Sequence, residues 1–446
     1  MDAYQLIIEN ATILTADADN TVIRDGVIGI KNGTIALLQK QAPGISYQAD
    51  KYMDAHGMIA LPGFVNTHVH CFQSLLKGLG ADLPLIGWLN SSVQPFGVRL
   101  THRQQELAAL IACLEALKSG CTTFCEFFYT NQDTELADVC IETMRKTGIR
   151  SIFMRTFQDY GEEYNVPSCY LEPVEKAIGE VERLRKTYSS EDMLTIWTGP
   201  DVTWATTRRG YEAILEYCLD RNMRYTMHLK ETPEDDDMCR RNYGTGIVDL
   251  LEETGLLTDQ FLAVHCVYLT SDEIKLFAER GVSISHNPAA NLYLGSGIAP
   301  IPVCLEAGVN ISLGTDGAAS NNTTDMLDTM RLTALIHKGV SRDATAISAR
   351  KVIRMATEGG AKALGMGNTI GSLETGKKAD IILFDPDKLK SVPMHDPLAT
   401  VIYSASSENI DTTIVNGKIV YHKGIFSCGI DEAQLAEQVK QELHCD

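Results

Sequence analysis

Four short stretches of the sequence place ionisable side chains at the ends of apolar runs. His68-Val69-His70 separates two imidazoles by one residue, and alternation along a strand would turn both to one side as a two-nitrogen clamp. Taken alone, the pair reads equally well as two ordinary histidines at a strand end. His228 is followed three residues later by Glu231, His265 ends another apolar run, and Asp316 sits in Gly314-Thr315-Asp316-Gly317. Three neutral imidazoles and a carboxylate suit Zn2+ or Fe2+, because both ions accept nitrogen and carboxylate oxygen and leave a position for water. Such an ion lowers the pKa of bound water from 15.7 to about 7. Glu231 would then take the proton from that water and pass it to a leaving group or ring nitrogen. His265 would hydrogen-bond the attacking oxygen or polarise the electrophile, and Asp316 would ligate weakly and orient the hydroxide. A two-metal site would need a bridging group such as a modified lysine on the fourth strand. That strand reads Thr195-Ile196-Trp197-Thr198-Gly199-Pro200-Asp201, without lysine, so a single metal is expected.

Distant residues of this kind must be gathered by the elements that carry them. Short apolar runs alternate with longer helical patterns, the signature of βα units around a parallel sheet. Eight candidate strands are read at 63–70, 122–128, 150–156, 194–200, 225–229, 261–266, 282–286 and 310–314, with helices such as 103–119 and 211–221 between them. Eight repeats over about 300 residues fit a (β/α)8 barrel better than an open sheet, and such barrels carry their chemistry at the C-terminal strand ends. The chain ends read differently. Leu6-Ile7-Ile8 leads in, and Asn32-Gly33 and Asn416-Gly417 each join two apolar segments as hairpin turns. The expected organisation is an α/β chain whose residues 1–60 and 366–446, the latter with a C-terminal helix, form one composite β-sandwich around a barrel of residues 61–365.

The 446-residue chain is 44% hydrophobic and 22% charged, which is ordinary globular composition and excludes a disordered or low-complexity protein. Its 39 basic and 58 acidic residues leave a formal net charge of −19. Such a surface repels phosphate backbones and anionic lipid, so neither nucleic acid nor a membrane is an expected partner. The twelve cysteines contain no C-x-x-C pair and read as buried thiols of a reducing compartment. No run approaches the ~20 apolar residues of a membrane span. The opening Met1-Asp2-Ala3-Tyr4-Gln5 carries an acid where a signal peptide has basic residues, and a cytoplasmic location is expected.

Laid out in order, Leu61-Pro62-Gly63-Phe64-Val65-Asn66-Thr67-His68-Val69-His70, His228-Leu229-Lys230-Glu231-Thr232, Ala263-Val264-His265-Cys266 and Gly314-Thr315-Asp316-Gly317-Ala318-Ala319-Ser320-Asn321 resemble the amidohydrolase superfamily. The closer resemblance is to the branch holding S-adenosylhomocysteine/methylthioadenosine deaminases, guanine and 8-oxoguanine deaminases and triazine hydrolases. It extends over nearly the whole chain, through Met355-Ala356-Thr357 and Gly371-Ser372-Leu373-Glu374-Thr375-Gly376-Lys377-Lys378-Ala379-Asp380. The resemblance implies a distorted (β/α)8 barrel with a composite β-sandwich and one metal held by His68, His70, His228 and Asp316. It further implies catalysis by Glu231 and His265 and a homodimer or larger assembly. The expected reaction is hydrolytic deamination of a small aromatic N-heterocycle. The alternatives are release of chloride, alkylamine or an amide nitrogen from the same site, and a non-catalytic scaffold built on the same barrel.

The substrate residues point in two directions. Gln73 resembles the glutamine that guanine-type and triazine members present to a heterocycle, and reads equally as a cap of the first loop. Adenosine-type members tend to carry an acidic residue after the first barrel loop and a histidine at the fourth strand tip, whereas this chain has Gln94-Pro95-Phe96-Gly97 and Gly199-Pro200-Asp201. His286-Asn287-Pro288-Ala289-Ala290-Asn291 nevertheless looks like that group. Arg155 matches an arginine used for a substrate carboxylate and reads alternatively as a salt-bridge partner. Asp201 could accept hydrogen bonds from an exocyclic amine or ring N–H, since a buried unpaired acid is costly. Trp88, Phe96, Phe128, Tyr129, Trp204 and Tyr293 fall beyond strand ends, where two or three lining a pocket would favour a planar ring.

Overall fold

A computed structural model, described over residues 3–444, builds the centre of the chain from eight parallel strands. In chain order they are Phe64–Val69, Cys121–Phe128, Arg150–Phe157, Leu194–Pro200, Tyr225–Leu229, Phe261–His265, Ser283–His286 and Asn310–Leu313, each within one residue of its sequence expectation. Hydrogen-bonded neighbours run from the fifth strand through the eighth and on from the first to the fourth. Between the fourth and fifth, a parallel bridge pairs Val202 with His228, and the His228 N–H donates to the Asp201 carbonyl at 3.2 Å. The fold is a distorted (β/α)8 barrel whose irregular seam passes beside His228.

Helices wrap the outside and side chains fill the inside, so both faces of a barrel strand are covered and its sequence reads as a near-continuous apolar run. All eight residues of Cys121–Phe128 and of Arg150–Phe157 are buried. The helix after the first strand, His102–Lys118, begins where Thr101 and Gln104 form a reciprocal capping box, a device worth about 1 kcal/mol.

The chain ends meet in a nine-stranded sheet. Ile59–Pro62 pairs antiparallel with Ile381–Phe384, joining Leu6–Leu14, Val22–Lys31 and Thr34–Lys40 to Ile410–Val415, Lys418–His422 and Ile425–Phe426. Side-chain alternation divides its faces: Ile382 and Phe384 pack into the barrel core, whereas Ile381 and Leu383 enter a second core with Ile8, Ile13, Ile28 and Ile414. The two hairpin turns take left-handed backbone at both central residues, Asn32 and Gly33 in one, Asn416 and Gly417 in the other. They press together so closely that a Cβ on Gly417 would lie 2.8 Å from the Gly33 Cα, which excludes a side chain there. Among the described residues, no helix is long and apolar enough to cross a membrane.

Candidate metal centre and active site

Period-two alternation puts His68 and His70 on one side of the first strand, with their ring centroids 4.7 Å apart, while Val69 points into the apolar core. The fifth strand contributes His228, its ring 5.0 Å from that of His68 and 5.4 Å from that of His70. Asp316 arrives from the turn after the eighth strand. Its Oδ1 lies 3.6 Å from His68 Nε2 and 3.4 Å from His70 Nε2, and its N–H donates to the His68 carbonyl at 3.0 Å. Asn66 ties these tips together: its amide Nδ2–H donates to Thr315 Oγ1 at 2.7 Å while its Oδ1 accepts from the Thr315 N–H at 3.1 Å. The structure therefore brings His68, His70, His228 and Asp316 into one place.

Hydrogen bonding around the rings sets their tautomers. His70 donates from Nδ1 to the Phe127 carbonyl at 2.7 Å, and His228 donates from Nδ1 to the Asp201 carbonyl at 2.9 Å. In its neutral form each ring has its Nε2 lone pair facing the cluster, the arrangement in which a metal-binding histidine is held by a backbone carbonyl. Burial holds His70 well below the usual imidazole range, whereas for His228 burial is outweighed by the neighbouring Asp201, which holds that ring above it. His68 is wholly buried and, among the described residues, neither of its ring nitrogens has a hydrogen-bond partner. A buried polar group without a partner is costly, and a cation would supply one. One donor atom each from His68, His70 and Asp316, and one each from His68, His228 and His265, lie within 4.8 Å of one another. Burial pushes the His68 and His265 imidazoles down to about 4, so both are neutral near pH 7 with lone pairs free. Burial would raise the Asp316 carboxyl, yet His68, His70 and His265 hold it well below the usual carboxylate range. The donor set fits a divalent metal ion.

Glu231 and His265 flank this cluster. Glu231 Oε2 is 3.5 Å from His265 Nε2, Oε1 accepts from Ser296 Oγ at 3.4 Å, and the Glu231 N–H is held by Asp235 Oδ2 at 2.8 Å. Burial, reinforced by the charge of Asp316, pushes the Glu231 carboxyl up to about 7, the range in which a carboxyl exchanges protons readily at neutral pH. His265 donates from Nδ1 to Asn291 Oδ1 at 2.8 Å, leaving Nε2 toward Glu231 and Asp316. Left-handed backbone at Lys230, His265, Cys266 and Asp316 bends the chain sharply at these three tips. Such conformations cost about 1–3 kcal/mol each outside glycine and cluster at functional sites.

His70, His228, Glu231, His265 and Asp316 line one cleft. Among the expected substrate residues, Gln73, Trp88 and Asp201 line it, as do Tyr129 and Trp204. Phe96, Phe128 and Tyr293 lie outside its lining. Gln73 pairs with Tyr129, its Nε2 lying 3.0 Å from the phenol oxygen. Arg155 is also outside the lining: its guanidinium is buried, donating to Glu172 and to the Thr156 carbonyl, so the salt-bridge alternative describes its contacts. Sequence reasoning missed Asn291, Ser296, Gln158 and Tyr170. Asn291 ends a motif already singled out, whereas no local signal marks the other three.

Residues 59–420 match the amidohydrolase family. The chain is 34% identical over 433 residues to a 5-methylthioadenosine/S-adenosylhomocysteine deaminase of Syntrophobacter fumaroxidans, covering 96% of this chain and 95% of the relative. A zinc-bound adenosine deaminase from Xanthomonas campestris superposes with a TM-score of 0.93 at 28% identity, over 99% of this chain and 98% of that one. An atrazine chlorohydrolase from Arthrobacter aurescens TC1, complexed with zinc, gives 0.90 at 27% identity, over 98% and 99%.

Proposed function

Because this chain belongs to the amidohydrolase family, we propose that it is a metal-dependent hydrolase that deaminates an amino-substituted aromatic N-heterocycle, with one Zn2+ held by His68, His70, His228 and Asp316. The observation that carries the reading is the wholly buried His68 with both nitrogens unpartnered, set among imidazoles whose Nδ1–H groups are already given to carbonyls. When bound, the ion supplies Lewis acidity and a nucleophile at neutral pH.

The chain's own groups do the rest. Glu231, positioned by Ser296 and Asp235, accepts a proton from the attacking water. It delivers that proton to the ring nitrogen beside the reacting carbon, then takes the second proton from the added oxygen and passes it to the departing amine. His265, fixed by Asn291, offers its Nε2 lone pair to an O–H of the incoming water. Oxygen adds to the sp2 carbon, the carbon–nitrogen bond breaks and ammonia leaves, so that water plus the ring amine becomes the hydroxylated ring plus ammonia. Trp88, Tyr129 and Trp204 supply faces for a flat ring. Nine of the eleven cysteines among the described residues are buried and all eleven are free, which suits the reducing cytoplasm, where we place the protein.

Likeness to the atrazine chlorohydrolase favours a second reading, in which the same site expels chloride or alkylamine. Elemental analysis of the purified protein together with ammonia and chloride assays across aminated and chlorinated heterocycles tests both. One zinc per chain and ammonia release support deamination. Chloride without ammonia supports the second reading, and a metal-free protein that zinc cannot reconstitute refutes both.

A further inference from the structure

The tips of the third and fourth barrel strands carry a pair of side chains that the mechanism above does not use. Gln158 Nε2 donates to Asp201 Oδ2. A carboxylate can only accept, so the amide orientation is settled: the NH2 faces Asp201, and Gln158 Oε1 is an acceptor. Both residues are buried and both line the cleft. Among the described residues, Gln158 Oε1 has no hydrogen-bond donor, and neither has Asp201 Oδ1. The Nδ1–H of His228 lies 3.2 Å from that carboxylate oxygen but is given to the Asp201 backbone carbonyl at 2.9 Å. Two adjacent residues thus present unsatisfied acceptors in a site where unmade hydrogen bonds are penalised.

Charge in the cleft points the same way. Asp201, Glu231, Asp235 and Asp316 line it, and among the described residues no lysine or arginine does. The Arg155 guanidinium, on the neighbouring strand, is neutralised by Glu172 instead of facing the cleft. A bound divalent ion leaves this wall with no surplus cation to receive a carboxylate or phosphate.

Building on the deaminase reading, we infer that Gln158 and Asp201 form a specificity subsite for the N–H-rich edge of the substrate ring. It selects neutral or cationic heterocycles that carry further amino or ring N–H donors besides the leaving amine. It disfavours substrates with anionic substituents, because each acceptor is paired only when such a donor edge is present.

The test compares zinc-loaded protein on melamine and guanine, which carry extra N–H donors, with adenosine, which lacks them, and S-adenosylhomocysteine, which bears a carboxylate. Expected is a kcat/KM for melamine or guanine at least about tenfold above that for S-adenosylhomocysteine, the scale of one unmade hydrogen bond. Gln158→Leu and Asp201→Asn, checked for full zinc content, should each shrink that preference about tenfold, mainly through KM. A wild-type preference for S-adenosylhomocysteine, or a preference unchanged in Gln158→Leu, overturns the inference while leaving deamination standing. Absence of ammonia from all four compounds instead refutes the deaminase reading. Calorimetric titration of melamine and S-adenosylhomocysteine then judges the subsite alone: tighter melamine binding that Gln158→Leu abolishes supports it, and equal affinities overturn it.

Discussion

Replacing Glu231 by glutamine keeps the side chain's length and shape and removes its capacity to carry a proton. The surroundings make this a clean substitution. Glu231 is 6% exposed, its Oε1 accepts from Ser296 Oγ at 3.4 Å, and its backbone N–H is fixed by Asp235 at 2.8 Å. A glutamine carbonyl can accept the same Ser296 hydrogen bond, so the fold should be undisturbed. Neither histidine-containing group of convergent donors includes Glu231, so zinc content should also be unchanged. What disappears is proton transfer, worth about 10²- to 10⁴-fold in rate, or roughly 2.7–5.4 kcal/mol of barrier. A carboxylate that merely hydrogen-bonded the substrate would account for about tenfold, near 1.4 kcal/mol. The two roles therefore separate at a hundredfold. Ammonia release at saturating substrate, with wild type and Glu231→Gln matched for zinc, measures the difference. A kcat within tenfold of wild type at full zinc occupancy would remove Glu231 from the mechanism.

Substitutions at four other positions probe the surrounding structure. His68→Ala should lose zinc and activity together by elemental analysis and ammonia assay, and activity persisting without metal would contradict the ligand assignment. Asn291→Leu leaves the His265 Nδ1–H, now bonded at 2.8 Å, without a partner; kcat should fall roughly 10- to 100-fold with zinc retained, and Asn291→Asp should restore part of it. In Gly317→Ala, the new Cβ would lie 1.9 Å from Gln73 Oε1, forcing that amide away from Tyr129, so KM should rise more than kcat falls. Asp380→Ala breaks a buried two-point pair with Arg150 at 2.9 and 3.0 Å, which ties the third barrel strand to the small sheet. Stability should drop by about 3–5 kcal/mol, read as a lowered urea midpoint, and an unchanged midpoint would show that the pair does not stabilise the fold.

The barrel was legible in the sequence because its signals are local. A parallel strand covered on both faces reads as an apolar run, and a histidine, glutamate or aspartate ending such a run stands out against it. Since all eight strands point the same way, residues ending different strands are carried to one rim, and that is how His68, His228, His265 and Asp316 come together from distant parts of the chain. The hairpins were equally plain, because Asn-Gly suits the two left-handed positions of a tight turn.

What encloses the cluster follows no such period. Whether Arg155 would face the cleft or pair with Glu172 depended on how the loop after the third strand folds back, and the structure buries the pair outside the cleft. Three of six aromatic candidates line the cleft and three do not, because loop side chains take their direction from packing rather than from a repeat. Ser296 and Gln158 acquire their roles only by touching residues 65 and 43 positions away. Residue spacing along single strands thus determined which side chains meet at the rim of the barrel. The walls, the proton partners and the charge of the cleft were decided by contacts between loops, where neighbours in space are not neighbours in sequence.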